Sequence, residues 1–236
     1  MVRATILTIG NEIVSGDTEN TNASWLSRRF EELGVKVVLS AAVPDELDRI
    51  VDFVRREAPL VSQLVVTGGL GGTPDDITRE SLAAAFGVAQ ETVPELEADL
   101  RSRFQRNPDY AARWAALPAG SRPLVNPLGG APGFQIENVW VLPGLPSEMK
   151  AMFDRYEDEL RAGEPIGSWR RSYQTRESDI TPALEVATAR WPGVSVGSYP
   201  SFQASGAAVK VVLKSADPDA LEAARAFLEG ELDRLT

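Results

Sequence analysis

The sequence predicts an α/β protein, a mostly parallel sheet covered by helices on both faces and followed by a small α+β unit. Three observations carry this. Strand-like and helix-like patterns alternate through the first half of the chain. The third strand empties into a glycine-rich turn that leads to a helix. Beyond a glycine- and proline-containing break at residues 162–167 the order changes to strand, helix, strand, strand, helix.

Each element has its own signal. Residues 4–9 are apolar apart from Thr5 and Thr8, as suits a strand buried on both faces. Ala23, Leu26, Phe30 and Leu33 recur at helical spacing, and Gly34 supplies the stop. Residues 35–43 are the next strand, and Leu47, Ile50, Val51 and Val54 after Pro44 mark a second amphipathic helix. Residues 64–67 are the third strand, followed by the glycine turn and a helix through Phe86. A β-α-β-α-β-α order implies a parallel sheet. Leu96, Leu100 and Phe104 suggest a further helix, with Trp114 on a short one. Residues 134–136 and 139–142 read as a hairpin or adjacent strands. The helix that follows shows Met149, Met152, Phe153, Tyr156 and Leu160 to the core. The break divides residues 1–163 from 168–236. In the second part, strands at 169–175, 194–199 and 207–214 with helices at 178–190 and 217–235 suggest a ferredoxin-like unit lacking one strand.

Composition narrows the chemistry. The chain has 236 residues, 43% of them hydrophobic, enough for a real core. No stretch approaches the roughly 18 unbroken apolar residues of a membrane span. The N-terminus runs straight into a strand pattern without a cleavage site, so the cytoplasm is the expected location and no membrane partner is expected. There is no Cys and no His. Thiolate nucleophiles, zinc–thiolate sites and histidine acid–base catalysis are therefore excluded. Any bound metal must be held by oxygen, which favours a hard divalent cation such as Mg or Mn. The net charge of −10 argues against nucleic acid, which needs clustered Lys and Arg, and favours a small ligand.

The stretch of residues 64–80 is the most informative. Four glycines stand in the five positions 68–72, as Gly68, Gly69, Leu70, Gly71 and Gly72. Such a turn exposes backbone N–H groups, and a following helix N-terminus favours a phosphate. Asp75 and Asp76 cannot bind phosphate themselves but can hold a cation that does. An ordinary helix start is the alternative: Thr73 as N-cap, Pro74 at the first helical position and Asp76 three residues after the cap. The turn is neither a Walker loop nor the spaced glycine pattern of dinucleotide folds.

Ligands of an open parallel sheet bind beyond the carboxyl ends of its strands. Four loops share that rim: residues 10–17 with Asn20-Thr21-Asn22, the glycine turn, Asn126-Pro127, and Pro143-Gly144-Leu145-Pro146. Glu12, Asp75 and Asp76 would place three carboxylates near one point. Asn20 and Asn22 read equally as helix N-caps. Asp17 reads as a turn residue. Lys150 reads as solvated unless it reaches a phosphate.

At these residues the chain resembles the molybdopterin-binding MoaB/Mog superfamily, and more closely its CinA-type competence/damage-inducible branch. The resemblance rests on residues 8–16 with 20–22, residues 67–80, Asn126-Pro127 with residues 131–134, and residues 142–150, with residues 177–180 and 197–200 similar to the small domain that follows in that branch. It implies a three-layer α/β/α Mog-like domain. It further implies a metal-dependent pyrophosphatase acting on ADP-ribose or a related dinucleotide, using Mg, Mn or Co, with K as a further cation. In that reading Glu12, Asp75 and Asp76 hold the metal and act in catalysis, while residues 68–72, Thr73, Asn22, Asn126, Gly144, Ser147 and Lys150 bind the ligand. A homo-oligomer, dimer or trimer, is expected. A pterin-binding protein of molybdenum cofactor biosynthesis and a non-catalytic nucleotide-binding module are the alternatives. Longer members of the branch add a nicotinamide-mononucleotide deamidase domain, to which the resemblance does not extend here. Three departures stand out: Gly72 where the branch has proline, Asn11 where aspartate is common, and Leu145 where molybdopterin-inserting relatives have asparagine.

Overall fold

The computed structural model describes residues 2–163, 165–203 and 206–234. The chain divides into two units, residues 1–30 with 35–162, and residues 31–34 with 163–236.

In the first unit the elements run β1 (Arg3–Ile9), α1 (Asn11–Val14), α2 (Thr21–Glu32), β2 (Lys36–Val43), α3 (Leu47–Glu57), β3 (Gln63–Thr67) and α4 (Thr78–Phe86). They continue with β4 (Gln90–Thr92), α5 (Pro94–Arg103), α6 (Pro108–Ala112), β5 (Ala116–Pro118), β6 (Arg122–Leu124), β7 (Gly133–Ile136), β8 (Val139–Leu142), α7 (Pro146–Arg155) and α8 (Glu157–Leu160). Trp114 lies on a short 3₁₀ turn, Arg113–Ala115.

The main sheet has the order β2-β1-β3-β8-β7-β6. β1 pairs in parallel with β2 and β3, and β3 with β8. β7 runs against β8, and β6 against β7, so β6 again points the way of the four parallel strands. Only β7 is reversed. The carboxyl ends of β1, β2, β3, β8 and β6 therefore share one rim, and the loop into β7 starts from that rim as well. The first unit is thus the mostly parallel α/β domain that the strand–helix alternation implies.

Burial follows from the alternation of side chains along a strand. After Arg3 every residue of β1 is buried. Leu7 and Ile9 join Ile50, Val54, Leu82 and Leu100 from α3, α4 and α5 in one core cluster. The other face of β1 falls to α2 and α7, whose Phe30 and Phe153 rings meet edge to face at 5.3 Å. Both rings are fully buried. Truncating either to alanine removes roughly 3–5 kcal/mol of stability.

The structure corrects one boundary. Helix α4 begins at Thr78, not at Thr73 or Pro74. Asp76 N–H donates to Thr73 O at 3.1 Å and closes a turn before any helix starts. Thr73 is therefore not the N-cap of α4, and Asp75 and Asp76 belong to the loop. A small two-stranded ladder, β4 with β5, was not foreseen in the sequence.

In the second unit β9 (Gly167–Tyr173), α9 (Glu177–Arg190), β10 (Ser195–Gln203), β11 (Gly206–Ser215) and α10 (Pro218–Leu232) form an antiparallel sheet of order β10-β11-β9 with two helices. This is the strand order of a ferredoxin-like unit without its fourth strand. Val209, Val211 and Leu213 of β11 pack on Ile180, Leu184, Ala224 and Leu228 of the helices. Leu235, expected at the end of the last helix, lies outside the described residues.

Candidate functional site

The glycine turn between β3 and α4 is built by its glycines and pinned from behind. Gly68 and Gly69 have φ of 104° and 62°, and a side chain would strike the Ile9 carbonyl at the first and the Thr78 hydroxyl at the second. Thr78 Oγ1 donates to Gly68 O at 2.8 Å, and Thr78 N–H donates to Gly69 O at 3.2 Å. The Arg79 guanidinium donates to Leu70 O at 2.8 Å and Gly71 O at 2.7 Å. Arg79 is only 7% exposed. Burial holds its guanidinium below the usual arginine range, with Asp76 acting in the opposite direction.

Four successive carbonyls are thus turned toward α4. In a trans peptide the next N–H points the other way. The N–H groups of Gly69, Leu70, Gly71 and Gly72 consequently face away from Thr78 and Arg79. Gly71 N–H donates to Asp76 Oδ1 at 2.9 Å, while those of Gly69, Leu70 and Gly72 have no partner among the described residues. Concave sets of backbone N–H groups of this kind bind anions.

Asp76 shapes the same loop. Its Oδ2 accepts from Thr73 N–H at 2.8 Å and also from the Thr73 hydroxyl. The N–H groups of Gly71 and Thr73 are therefore committed to Asp76, which leaves the anion to the other glycine-turn amides. Gly68 N–H is likewise committed, to Leu142 O.

A cleft of about 460 Å³ opens on this turn at the carboxyl rim of the sheet. Of the sequence-predicted residues, Glu12, Asn22, Gly68, Gly69, Leu70, Gly71, Asp75, Asp76 and Gly144 line it. Gly72, Thr73, Asn126, Ser147 and Lys150 do not. Gly72 sits against Tyr110, whose Cε2 would lie 2.5 Å from an added Cβ. Its absent side chain makes room for a ring, so the departure from proline is a packing choice. Asn126 is a buried brace: its Nδ2 donates to Ala131 O and Glu148 Oε2, and its Oδ1 accepts from Leu128 N–H. Ser147 lies exposed in the first turn of α7. Lys150 stands over the Trp25 ring at 5.8 Å. Asn22 Nδ2 donates to Gly144 O at 2.7 Å and ties two rim loops together. Asn20 is the cap of α2, accepting from Ala23 N–H at 3.1 Å, and Asp17 accepts from Ser15 in its turn.

Three cleft carboxylates escaped the sequence reading, Glu19, Asp45 and Glu148. Asp45 follows β2 and accepts from Asn11 N–H at 2.8 Å. Burial pushes its carboxyl above the usual carboxylate range, against the Asn11 hydrogen bond, and the negative charges of Glu12, Asp75 and Asp76 push the same way. Asp75, fully exposed, is held below that range by the Thr73 hydroxyl and its own backbone N–H. Glu12, Asp45, Asp75 and Asp76 thus form one acidic pole. Among the described residues no group of three carboxylates stands close enough together to hold a metal ion as it is. The donor set is nevertheless all oxygen, and its mutual repulsion is what a cation would relieve. Among the described residues no helix is long and apolar enough to cross a membrane.

Comparison with known proteins agrees with this architecture. Residues 5–162 match the family described as a probable molybdopterin binding domain, and residues 172–235 match the middle domain of FAD synthase. A CinA-like protein of Frankia casuarinae is 36% identical over 94% of this chain, which spans only 55% of that protein's length. A protein of Pyrobaculum aerophilum is 34% identical over 98% of this chain and 92% of its own. The crystal structure of CinA from Thermoplasma acidophilum, of unknown function, superposes with a TM-score of 0.64 at 32% identity, over 67% of this chain and 97% of that one. The cleft and its glycine turn belong to a member of the molybdopterin-binding domain family, in its CinA-like branch.

Proposed function

We propose that the cleft binds and hydrolyses a nucleotide diphosphate, ADP-ribose or a related dinucleotide, with a divalent cation as cofactor. One observation carries this reading: an anion-binding turn and a four-carboxylate pole face the same cleft. The free amides of Gly69 and Leu70 hold diphosphate oxygens. Glu12, Asp45 and Asp75 would hold Mg, Mn or Co, while Asp76 fixes the loop that presents Asp75. A cation so held neutralises phosphoryl oxygens and acidifies water. The match of the second unit to part of FAD synthase supports a nucleotide ligand.

The test is release of AMP from ADP-ribose or FAD in the presence of Mg, Mn or Co, with and without K. Asp76→Asn and Asp75→Asn are each expected to lower turnover at least tenfold, and chelation to abolish it. The family's own description favours a second reading, pterin binding without hydrolysis. Tight pterin binding with no AMP release under any of the three metals would select it.

A further inference from the structure

Glu148, near the start of α7, also lines the cleft. Its Oε2 accepts from Asn126 Nδ2 at 2.8 Å, and its Oε1 lies so close over Gly130 that a side chain there would push the carboxylate aside. Asn126 is 94% buried and its own Oδ1 is held by Leu128 N–H, so the brace is fixed (6% exposure). Glu148 makes no ion pair among the described residues, and it is not among the charges that raise Asp45. A carboxylate has about four acceptor sites. Asn126 occupies one, which leaves acceptors in a half-buried position facing the cleft. The same cleft also has apolar lining, from Trp114, Ala131, Leu145 and Pro146.

We infer that Glu148 is a specificity-determining residue that accepts a pair of adjacent O–H or N–H donors from the organic part of the ligand, while the diphosphate lies on the glycine turn. A vicinal sugar diol and the amino–imino edge of a ring both offer this pair at the right spacing for two carboxylate oxygens. A diphosphate alone offers neither. This inference rests on the diphosphate reading of the site, but it concerns a separate part of the ligand.

Glu148→Gln keeps the shape and an oxygen for Asn126 but puts an amide N–H where the ligand donates. Binding to the full chain and to this variant is measured calorimetrically with Mg²⁺ and four probes: inorganic pyrophosphate, ADP, GDP and 2′,3′-dideoxy-GDP. Pyrophosphate affinity is expected to stay within twofold. If the donors are the diol, ADP and GDP weaken at least tenfold and the dideoxy probe does not. If they are the ring edge, GDP and dideoxy-GDP weaken and ADP does not. Equal losses for pyrophosphate and nucleotides, or no loss for any nucleotide, overturn the assignment of Glu148. A wild-type chain that binds nucleotides but not pyrophosphate overturns the diphosphate seat instead, and one that binds none of the four removes both. Gly130→Ala is a second variant, expected to displace the carboxylate and repeat the pattern of Glu148→Gln.

Discussion

Replacing Arg79 with leucine tests whether the glycine turn is held in shape from behind. The substitution keeps an apolar stem in the buried site but deletes both hydrogen bonds, to Leu70 O and Gly71 O. A hydrogen bond from a charged donor contributes about 1.5–3 kcal/mol, and at 7% exposure little water can replace it. The loss of both, offset in part by no longer burying a charge, is expected to cost about 3–5 kcal/mol. That still leaves a folded protein if stability lies within the usual range of roughly 5–15 kcal/mol. Urea unfolding measures this term. Calorimetry with Mg-pyrophosphate measures the second: the freed peptides before Gly71 and Gly72 rotate and loosen the turn that presents the Gly69 and Leu70 amides, and affinity is expected to fall about 10–100-fold, roughly 1.4 kcal/mol per decade. Arg79→Lys, with one donor group for two carbonyls, should fall between. A variant that loses the stability but keeps its pyrophosphate affinity would falsify the view that Arg79 holds the anion seat in shape.

Gly72→Ala should destabilise by about 1–3 kcal/mol because its methyl meets the Tyr110 ring, and a Tyr110→Ala background should recover most of that cost; additive losses in thermal unfolding count against the contact. Asp45→Asn should raise the melting temperature at neutral pH in chelator. The sign follows from its raised carboxyl: in the folded chain it holds its proton more tightly than when unfolded, so its contribution is fully favourable below the ordinary carboxylate range and is lost as pH rises through the raised value. The gain from Asp45→Asn should therefore shrink as the pH falls into the acid range, and a gain independent of pH would refute it. Phe153→Ala should cost about 3–5 kcal/mol in urea unfolding without changing pyrophosphate affinity, since its ring packs on Phe30 and Trp25.

Much of this molecule was legible in its sequence because the signals were local. The apolar run of β1, the helical spacing through Phe30 and the glycines of residues 68–72 each fix nearby backbone. The start of α4 misled because Thr73-Pro74-Asp75-Asp76 has the form of a capped helix. Its carboxylate folds back onto Gly71 and Thr73 instead and closes a turn. Asp45 and Glu148 carried no local signature. Asp45 meets Asn11 across 34 positions, and Glu148 meets Asn126 across 22, so only the folded sheet brings them to the cleft. The reason for Gly72 is a tyrosine 38 positions later. Lys150, which reads from the sequence as solvated unless it reaches a phosphate, stands over the Trp25 ring, a contact with a residue 125 positions away.

The reversed strand β7 divides labour between the two edges of the sheet. Because it runs against β8, its hairpin turn at Glu137 and Asn138 falls at the edge away from the cleft, where Asn138 Nδ2 donates to the carbonyls of Ala58 and Val61. The segment that enters β7 lies instead at the ligand edge and contributes Gly130 and Ala131 to the cleft wall. Lengthening or recoding that entering segment would redraw the ligand's surroundings while every rung of the sheet stayed paired. The turn on the far side offers the complementary freedom: a tag, a dye or a grafted peptide placed there, with Asn138 retained, would report on the domain without touching what it binds.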